Sequence, residues 1–450
     1  MKKLLLIAIL SLFVAGAYAA ELQMFGYYEM NGNFVSNNNL GDGGSKYQEN
    51  ADVANFDQTL VVYARFIVDP KVRITVRSYI MDGRILGREG PGGSYYGNTG
   101  GYGTGNVFLD RAWVAYDITE ALTVELGRLT ANDYTVGWAS GLYDGTFEEM
   151  GGRDQIKATY KVSDEVSVYA TYIHDYESST QDPGEMGNVR GSNDNQANGR
   201  DNWGVVAGAK MDFNGLFVNP YISYYTYQAN AYSRPPASLY SVYVDAGMAP
   251  AEGLNWTVAL AYSGGMGDDG DKGIAEINGF KAKDYSVYGA YLDVAFVQEA
   301  FTVGGLVAYS SFDEKNGWFT FGGDFDKTTI IDGYFGYEYG FPASTMFQLY
   351  ADISLMEALS LGLSGSYYMS NVDKDNIVGY DTSYGTFMGI GKDSNAYEFD
   401  AELSYAFTES TTFSVGAAYA KFNDIYNTRS PDKYSPDGVT YFYWTVATEF

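Results

Sequence analysis

Cysteine is absent from the 450 residues, and histidine occurs once, as His174. Without cysteine the fold cannot rely on disulfides, and zinc–thiolate sites and lipid attachment to a cysteine are excluded. A single histidine leaves no cluster for a metal and disfavours a Ser-His-Asp type of enzyme. The expectation is a protein without catalytic residues, metal or cofactor.

Long apolar runs are also missing. Beyond the first twenty residues, no stretch reaches the roughly 18 to 20 apolar residues that a transmembrane helix needs, so helical spans are excluded. Positive charge is scarce, because 28 Lys and Arg stand against 56 Asp and Glu, a formal net charge of -28. No nucleic-acid partner is expected of so acidic a chain. An aromatic content of 17% argues against disorder.

The first nineteen residues differ from the rest. Two lysines precede an apolar stretch at 4–14, and an Ala-Tyr-Ala site ends at Ala19. A short positive region, a short apolar region and such a site are typical of a secretory signal peptide. The sequence therefore predicts a signal peptide at 1–19 and an exported mature chain at 20–450.

The mature chain repeats one unit, which consists of an alternating strand, a very short turn, a second alternating strand and a long polar loop. Eight short turns are predicted, at 68–72, 118–124, 162–168, 213–217, 248–253, 296–303, 355–361 and 407–413. Eight turns that each join two strands, with one more strand at each chain end, predict 18 strands. Sixteen remain possible, because the strand near 239–247 and the segment 332–340 are ambiguous.

These features predict an all-β fold, a transmembrane antiparallel β-barrel forming a single unit over 20–450. Strands of about 9 to 11 residues cross a bilayer with tilt, and short turns at one end with long loops at the other are typical of outer-membrane barrels. Hydrocarbon offers no hydrogen-bond partner, so a spanning sheet must close. The last strand, which ends at Phe450, is expected to close it. The expected location is the outer membrane of a Gram-negative bacterium, with short periplasmic turns and long extracellular loops.

Period-two alternation assigns each strand a lipid face and a lumen face. On the lumen face of the early strands the predicted pore-lining residues are basic: Arg65, Arg73, Arg77, Arg111, Arg153 and Lys157. On the late strands they are acidic: Asp293, Asp352, Glu398, Asp400 and Glu402. Opposite charges on opposite walls create a transverse field that favours polar solutes.

The third long connection, within 126–154, is aromatic and acidic and begins with Gly127 and Arg128. Here the sequence resembles the general bacterial porins, whose third loop follows a Gly-Arg pair and folds into the barrel opposite a basic wall. The resemblance implies that the loop, about 129–152, folds inward and forms a constriction. The loop acids carried over by the resemblance are Asp133, Asp144, Glu148 and Glu149.

The resemblance also implies partners. Phe450 looks like the aromatic end that the outer-membrane assembly machinery reads, and a homotrimer and contacts with membrane lipids and lipopolysaccharide are expected. The sequence departs from the family in its strand count, which is sixteen in general porins, and in Thr448, where an aromatic or apolar residue is usual. Arg128 has the parity of lipid-facing Leu126, which predicts a bulge or a position above the membrane.

The function predicted from these features is an outer-membrane porin that passes small hydrophilic solutes and ions by diffusion. One alternative is a substrate-specific channel, because 18 strands resemble the maltoporin-type sugar channels. In that case lumenal tyrosines would form a stacking track: Tyr63, Tyr79, Tyr221 and Tyr350. Another alternative is a structural or adhesive barrel with partner-binding loops.

Overall fold

A computed structural model describes the strands and part of the loops. The described residues are 21–38, 40, 52–86, 108–129, 153–178, 200–227, 237–267, 286–313, 317–319, 325, 327–335, 341–373, 376–381, 387–427 and 430–450. The predicted signal peptide and residues 130–152 of the third loop lie outside these ranges, so both remain predictions. No helix within the described ranges is long and apolar enough to cross a membrane.

Eighteen strands form one antiparallel sheet, in which neighbours along the chain are neighbours in space. They are β1 (Glu21–Val35), β2 (Val53–Asp69), β3 (Val72–Leu86), β4 (Phe108–Asp117), β5 (Leu122–Leu129), β6 (Arg153–Lys161), β7 (Val166–Ser178), β8 (Arg200–Phe213), β9 (Leu216–Tyr227), β10 (Ala237–Met248), β11 (Gly253–Gly267), β12 (Ser286–Gln298), β13 (Phe301–Ser310), β14 (Ser344–Met356), β15 (Leu359–Ser370), β16 (Asn395–Thr408), β17 (Thr411–Asn423) and β18 (Val439–Glu449).

The sheet closes on itself. β1 pairs with β2 on one side and with β18 on the other. The backbone of Gly26 donates to the carbonyl of Phe450 at 2.9 Å, and the backbone of Phe450 donates back at 3.0 Å. The prediction that the last strand closes the barrel is confirmed, and no edge of this sheet is left unpaired.

All eight predicted short turns are confirmed, so the count is 18 and the alternative of sixteen is wrong. The β8–β9 turn shows how sequence sets the connection: Asn214 and Gly215 both have positive φ, 56° and 89°, as a two-residue hairpin turn requires. The ambiguous segment near 239–247 is strand β10. Of the other ambiguous segment, 332–340, the described part is 332–335, which belongs to a π-helical turn, Thr329–Tyr334, and its C-cap residue Phe335.

The outward face carries the predicted apolar side chains, and these are exposed. Examples spread around the ring are Ile74, Ile156, Leu260, Leu349, Phe399 and Val415. Aromatic pairs lie near the short turns, such as Phe296 with Phe301 at 6.4 Å between ring centroids. Others lie near the loop ends, such as Tyr288 with Tyr309 at 5.7 Å. Two aromatic girdles around an apolar band are the arrangement that a bilayer favours.

Loops at the extracellular end add a small sheet of their own. Its four strands are Ile377–Asp381, Phe387–Gly391, Ile425–Asn427 and Ser430–Tyr434. Lys433 Nζ contacts Asp393 Oδ2 at 2.5 Å. This hydrogen bond lowers the pKa of the Asp393 carboxyl and raises the pKa of Lys433.

Candidate channel lumen

The lumen face has two walls of different composition. Strands nine positions apart in an 18-stranded ring lie across the bore from each other, so β3 faces β12 and β5 faces β14. We call the inward side chains of β2–β6 the basic wall and those of β12–β16 the acidic wall. The sequence predicted these two walls, and their opposition follows from the closure of the ring.

One row of side chains runs across the basic wall in direct register, from Phe25 to Tyr63, Arg77 and Arg111. Phe25 stacks on Tyr63 at 4.9 Å between centroids. Arg77 donates to the hydroxyls of Tyr63 at 3.3 Å and Tyr79 at 2.8 Å. Arg77 and Arg111 are only 8% and 7% exposed. Arg77 and Arg111 thus lie side by side, and the rings of Tyr63 and Tyr79 lie next to Arg77.

Nearer the periplasmic end, two cations of the basic wall are paired with carboxylates. Arg73 binds Asp117 through both guanidinium nitrogens, at 2.5 and 2.9 Å, and Asp117 also accepts from Thr123 at 2.8 Å. Lys157 lies 3.6 Å from Glu125. Sequence analysis overlooked Asp117 and Glu125, although the parity of their strands already placed both inward. These carboxylates reduce the net positive charge of the periplasmic part of the wall.

The remaining cations predicted for the basic wall are Arg65 and Arg153. Arg65 is half-buried, with its guanidinium carbon 5.1 Å from the centre of the Phe25 ring. Arg153 begins β6, and its side chain lies outside the description, as do the four loop acids carried over from the resemblance. Their part in a constriction remains a prediction.

Tyrosines and carboxylates alternate on the acidic wall. The Tyr350 hydroxyl donates to Asp293 at 2.8 Å. Its ring lies against Gly304, where an added Cβ would be 2.5 Å from the ring. Asp352, on the same strand as Tyr350, is exposed to the bore. The glycine is required here because it lets the ring lie flat on the neighbouring strand.

Strand β16 carries the rest of the predicted acids. Asp400 accepts from the Ser364 hydroxyl at 2.7 Å, and Glu402 accepts from the Tyr443 hydroxyl at 2.6 Å. Both carboxylates are half-buried. Hydroxyl donors hold these carboxylates at fixed positions while leaving their charge in place.

Glu398 shares this face but has a different role. It is fully buried, and its two carboxylate oxygens accept from the backbone of Ile330 at 2.5 Å and of Ile331 at 2.8 Å. These two residues belong to the π-helical turn in the connection between β13 and β14. Glu398 thus anchors a loop segment that lies inside the barrel, in place of the bore-facing role predicted for it.

Further contacts hold this anchored segment, which we define as residues 327–335. Tyr368 donates to Asp332 at 2.8 Å, and Gln348 donates to the carbonyl of Lys327 at 2.5 Å. Phe335 packs edge-on against Phe422 of β17 at 5.8 Å. Sequence analysis missed the segment because its apolar residues resembled a strand. The available sequence signal for such a segment was the set of inward tyrosines and carboxylates that contact it, such as Tyr368 and Glu398.

The predicted tyrosine track is divided between the walls. Tyr63 and Tyr79 surround Arg77, and Tyr350 holds Asp293, as described above. Tyr221 stacks on Tyr243 at 4.8 Å, and both rings are at most 4% exposed. These four predicted tyrosines therefore contact wall residues in three separate groups.

Arg128 lies on the outer face, where its guanidinium contacts Asp154 of β6 at 3.2 Å. The pairing of β5 with β4 and β6 runs without a register shift through this residue, so the predicted bulge is absent. Gly127 alone is unusual, with a φ of 131° that favours glycine.

Comparison with known proteins adds to this geometry. No protein-family model matches the sequence, and no curated protein matches it. Solved structures do match over nearly the whole chain. The outer membrane protein OprD from Pseudomonas aeruginosa matches with a TM-score of 0.55 and 12% identity, covering 97% of this chain and 95% of that chain.

The fold is that of an outer-membrane porin. OccK2 (OpdF) from Pseudomonas aeruginosa matches with a TM-score of 0.53 and 11% identity, over 95% of this chain and 98% of that chain. OpdK from the same organism, solved with vanillate, matches with a TM-score of 0.53 and 10% identity, over 96% and 99%. At such low identity the likeness shows the porin fold, and it leaves the solute to be argued from the lumen.

Proposed function

We propose that the protein is a porin of the Gram-negative outer membrane, a passive channel for small hydrophilic solutes and ions. The observation that carries the proposal is a closed 18-stranded ring with exposed apolar side chains outside and charged side chains inside. Such a ring satisfies its backbone hydrogen bonds in lipid and leaves a polar bore. Solutes move down their gradients, so no energy source and no catalytic group are required.

The finer proposal is a charged constriction. Arg77 and Arg111 lie on one side of the bore, and Asp293, Asp352 and Asp400 lie on the other. Fixed opposite charges orient water and polar solutes across the bore, and an apolar solute would have to disrupt that ordered water. The anchored segment narrows the bore from the acidic side, and the third loop is proposed to complete the narrowing.

Single-channel recording tests this proposal. Purified protein in a planar bilayer should give step-like, ohmic current in potassium chloride, and a salt gradient should give a non-zero reversal potential. A barrel that inserts, as shown by its resistance to protease, and yet carries no current would contradict the porin proposal. Such a result would favour the structural or adhesive alternative.

A second candidate, selective passage of small carboxylates, is favoured by the row from Phe25 to Arg111. Two adjacent guanidinium groups attract a carboxylate by their positive charge, and the Phe25–Tyr63 stack offers a flat surface to a ring. The solved neighbours OpdK and OccK2 were crystallised with vanillate and glucuronate, each a carboxylate on a ring. This candidate is a variant of the substrate-specific, sugar-type channel predicted from the sequence. The arginines of the row from Phe25 to Arg111 favour a ring that carries a carboxylate over a neutral sugar.

Block of the ion current distinguishes the two candidates. Vanillate and glucuronate should reduce current at concentrations where neutral glucose has no effect, and Arg77→Gln should weaken the block. Equal effects of all three solutes would favour the general porin. Contacts with lipopolysaccharide, recognition of Phe450 by the assembly machinery and a homotrimer belong to the proposal as well.

A further inference from the structure

Aromatic side chains pack along one sector of the lumen face, on strands β7 to β12. We call this row of rings the aromatic belt, and its members are Tyr169, Tyr221, Tyr243, Tyr291 and Phe325. Tyr221 stacks on Tyr243 at 4.8 Å between ring centroids, and Tyr291 lies 6.1 Å from Phe325. All five residues are at most 9% exposed. The rings of the belt are therefore packed against protein and are closed to water.

Small residues let the belt pack closely. An added Cβ on Gly208 of β8 would be 2.5 Å from the hydroxyl oxygen of Tyr169, so this ring lies directly on the neighbouring strand. Small polar side chains of the same sector are closed to water as well. The hydroxyls of Ser241 on β10 and Ser263 on β11 are 3.1 Å apart, and both residues are 1% exposed. This sector offers a solute no accessible polar surface at these positions.

A different lining occurs where the barrel closes, at the junction of β18 with β1. In the ring of eighteen strands, β1 lies across the bore from β10. We call the inward side chains of this junction the closing seam, and they are Glu29, Asn31, Tyr443 and Thr445. The Thr445 hydroxyl donates to the Asn31 amide oxygen at 2.7 Å, and the Asn31 amide nitrogen donates to Glu29 at 2.5 Å. All four residues are half-buried, so the seam presents partly exposed polar groups.

The seam also lies between charges of opposite sign. Arg65 is on β2, next to β1, and Glu402 is on β16, where it accepts from the Tyr443 hydroxyl at 2.6 Å. An ion or polar solute gives up part of its hydration in a narrow pore and needs polar side chains that replace it. The seam supplies such groups, whereas the packed rings of the belt do not.

We propose that solutes cross the middle of the barrel along the closing seam and that the aromatic belt closes the opposite sector. Asn31, Tyr443 and Thr445 then determine which solutes pass, because a solute on this path contacts them directly. None of the three is among the pore-lining residues that the sequence predicted. The proposal rests on the proposed porin function and adds the position of the path to it.

Thiol modification tests the position of the path, because the chain has no cysteine of its own. Asn31→Cys and Thr445→Cys place a thiol in the seam, and Ser241→Cys is the matched control across the bore. A water-soluble methanethiosulfonate that carries a quaternary ammonium group should lower the single-channel current of both seam variants. It should leave the current of Ser241→Cys unchanged. Equal loss of current at all three positions, or no loss at the seam positions, would overturn the proposal.

Side-chain size provides a second measurement. Thr445→Trp should lower the single-channel conductance to about half or less, because a larger side chain narrows the path. Leu349→Trp, at an outward position that is 74% exposed, is the control and should keep the wild-type conductance. Altered electrophoretic mobility on heating reports folding in each variant. Folded Thr445→Trp with wild-type conductance would contradict the proposal. Failure of the porin function itself would differ, because wild-type protein would then carry no current before any change.

Discussion

The two lumen walls use carboxylates in opposite ways. On the basic wall, Asp117 and Glu125 neutralise nearby cations close to the periplasmic end. On the acidic wall, tyrosine hydroxyls donate to Asp293 and Glu402 and leave their charge in place. Glu398 accepts hydrogen bonds from backbone amides of the anchored segment. Inward position alone therefore does not decide whether a charge acts on the bore.

Local partners decide which charges remain effective. A carboxylate beside a guanidinium cancels most of its field at a distance, whereas a carboxylate that accepts from a neutral hydroxyl keeps its full charge. By this criterion Asp293, Asp400 and Glu402 keep their charge on the acidic wall, whereas Asp117 cancels much of the charge of Arg73 on the basic wall. Fewer charges therefore act on the bore than the fifteen that the sequence predicted.

The largest effect is expected for Glu398, the carboxylate of the acidic wall that holds the anchored segment. Glu398→Ala should leave the buried amides of Ile330 and Ile331 without their acceptor, at about 1–3 kcal/mol each. The anchored segment should then become mobile, which should raise single-channel conductance and open-channel noise and lower the unfolding temperature. Glu398→Gln, which keeps one acceptor oxygen, should be intermediate. Wild-type conductance and noise in the alanine variant would show that the segment does not limit the bore.

A smaller effect is expected for the hydroxyls that hold the acidic wall. Tyr350→Phe removes the donor to Asp293 and should cost about 1.5–3 kcal/mol, the range for hydrogen bonds to charged groups. Denaturant unfolding of the protein in detergent micelles measures it. Tyr443→Phe, which removes the donor to Glu402, is the matched variant. A negligible cost in both would mean that water replaces these hydroxyls and that the acids are not fixed.

The ion selectivity of the channel reports the charge of the basic wall. Arg77→Gln should shift the cation-to-anion permeability ratio toward cations by up to roughly tenfold, because a Coulomb energy of about 0.7 kcal/mol at about 6 Å in water is lost both as attraction for the anion and as repulsion for the cation. The reversal potential in a salt gradient reports this ratio. The double variant Arg73→Gln with Asp117→Asn removes a neutral pair and should shift it less. An equal shift in both would show that the Arg73–Asp117 pair contributes to selectivity as much as Arg77 does.

The smallest effect is expected outside the bore, at Asp393. Lys433 lowers the pKa of this exposed carboxyl below its ordinary value of 3.8. A lowered pKa in the folded state stabilises the fold above the unfolded pKa, and this contribution is lost as the pH falls through the lowered value. Asp393→Asn should therefore lower stability slightly at pH 7, and the difference should disappear once the pH has fallen below the lowered pKa. A larger change at pH 7 than that of Glu398→Gln would contradict the contrast between exposed and buried carboxylates.

Sequence predicted the barrel well because local patterns determine it. Turn residues such as Asn214 and Gly215 mark hairpins, and strict alternation around residues such as Ile74 and Phe399 assigns the faces. Pairing of side chains across strands is not a local property, so Asp117 and Arg73 were not matched. The anchored segment was missed for a related reason, since its apolar residues suit a strand and a buried turn equally.

Solute flux tests the central claim of a polar, water-filled bore most directly. Liposomes that contain the purified protein should swell in isosmotic solutions of neutral sugars, and the rate should fall steeply as the sugar grows from a pentose to a trisaccharide. The account predicts this size dependence together with no swelling in control liposomes. Folded, inserted protein that gives no swelling with any solute would contradict it.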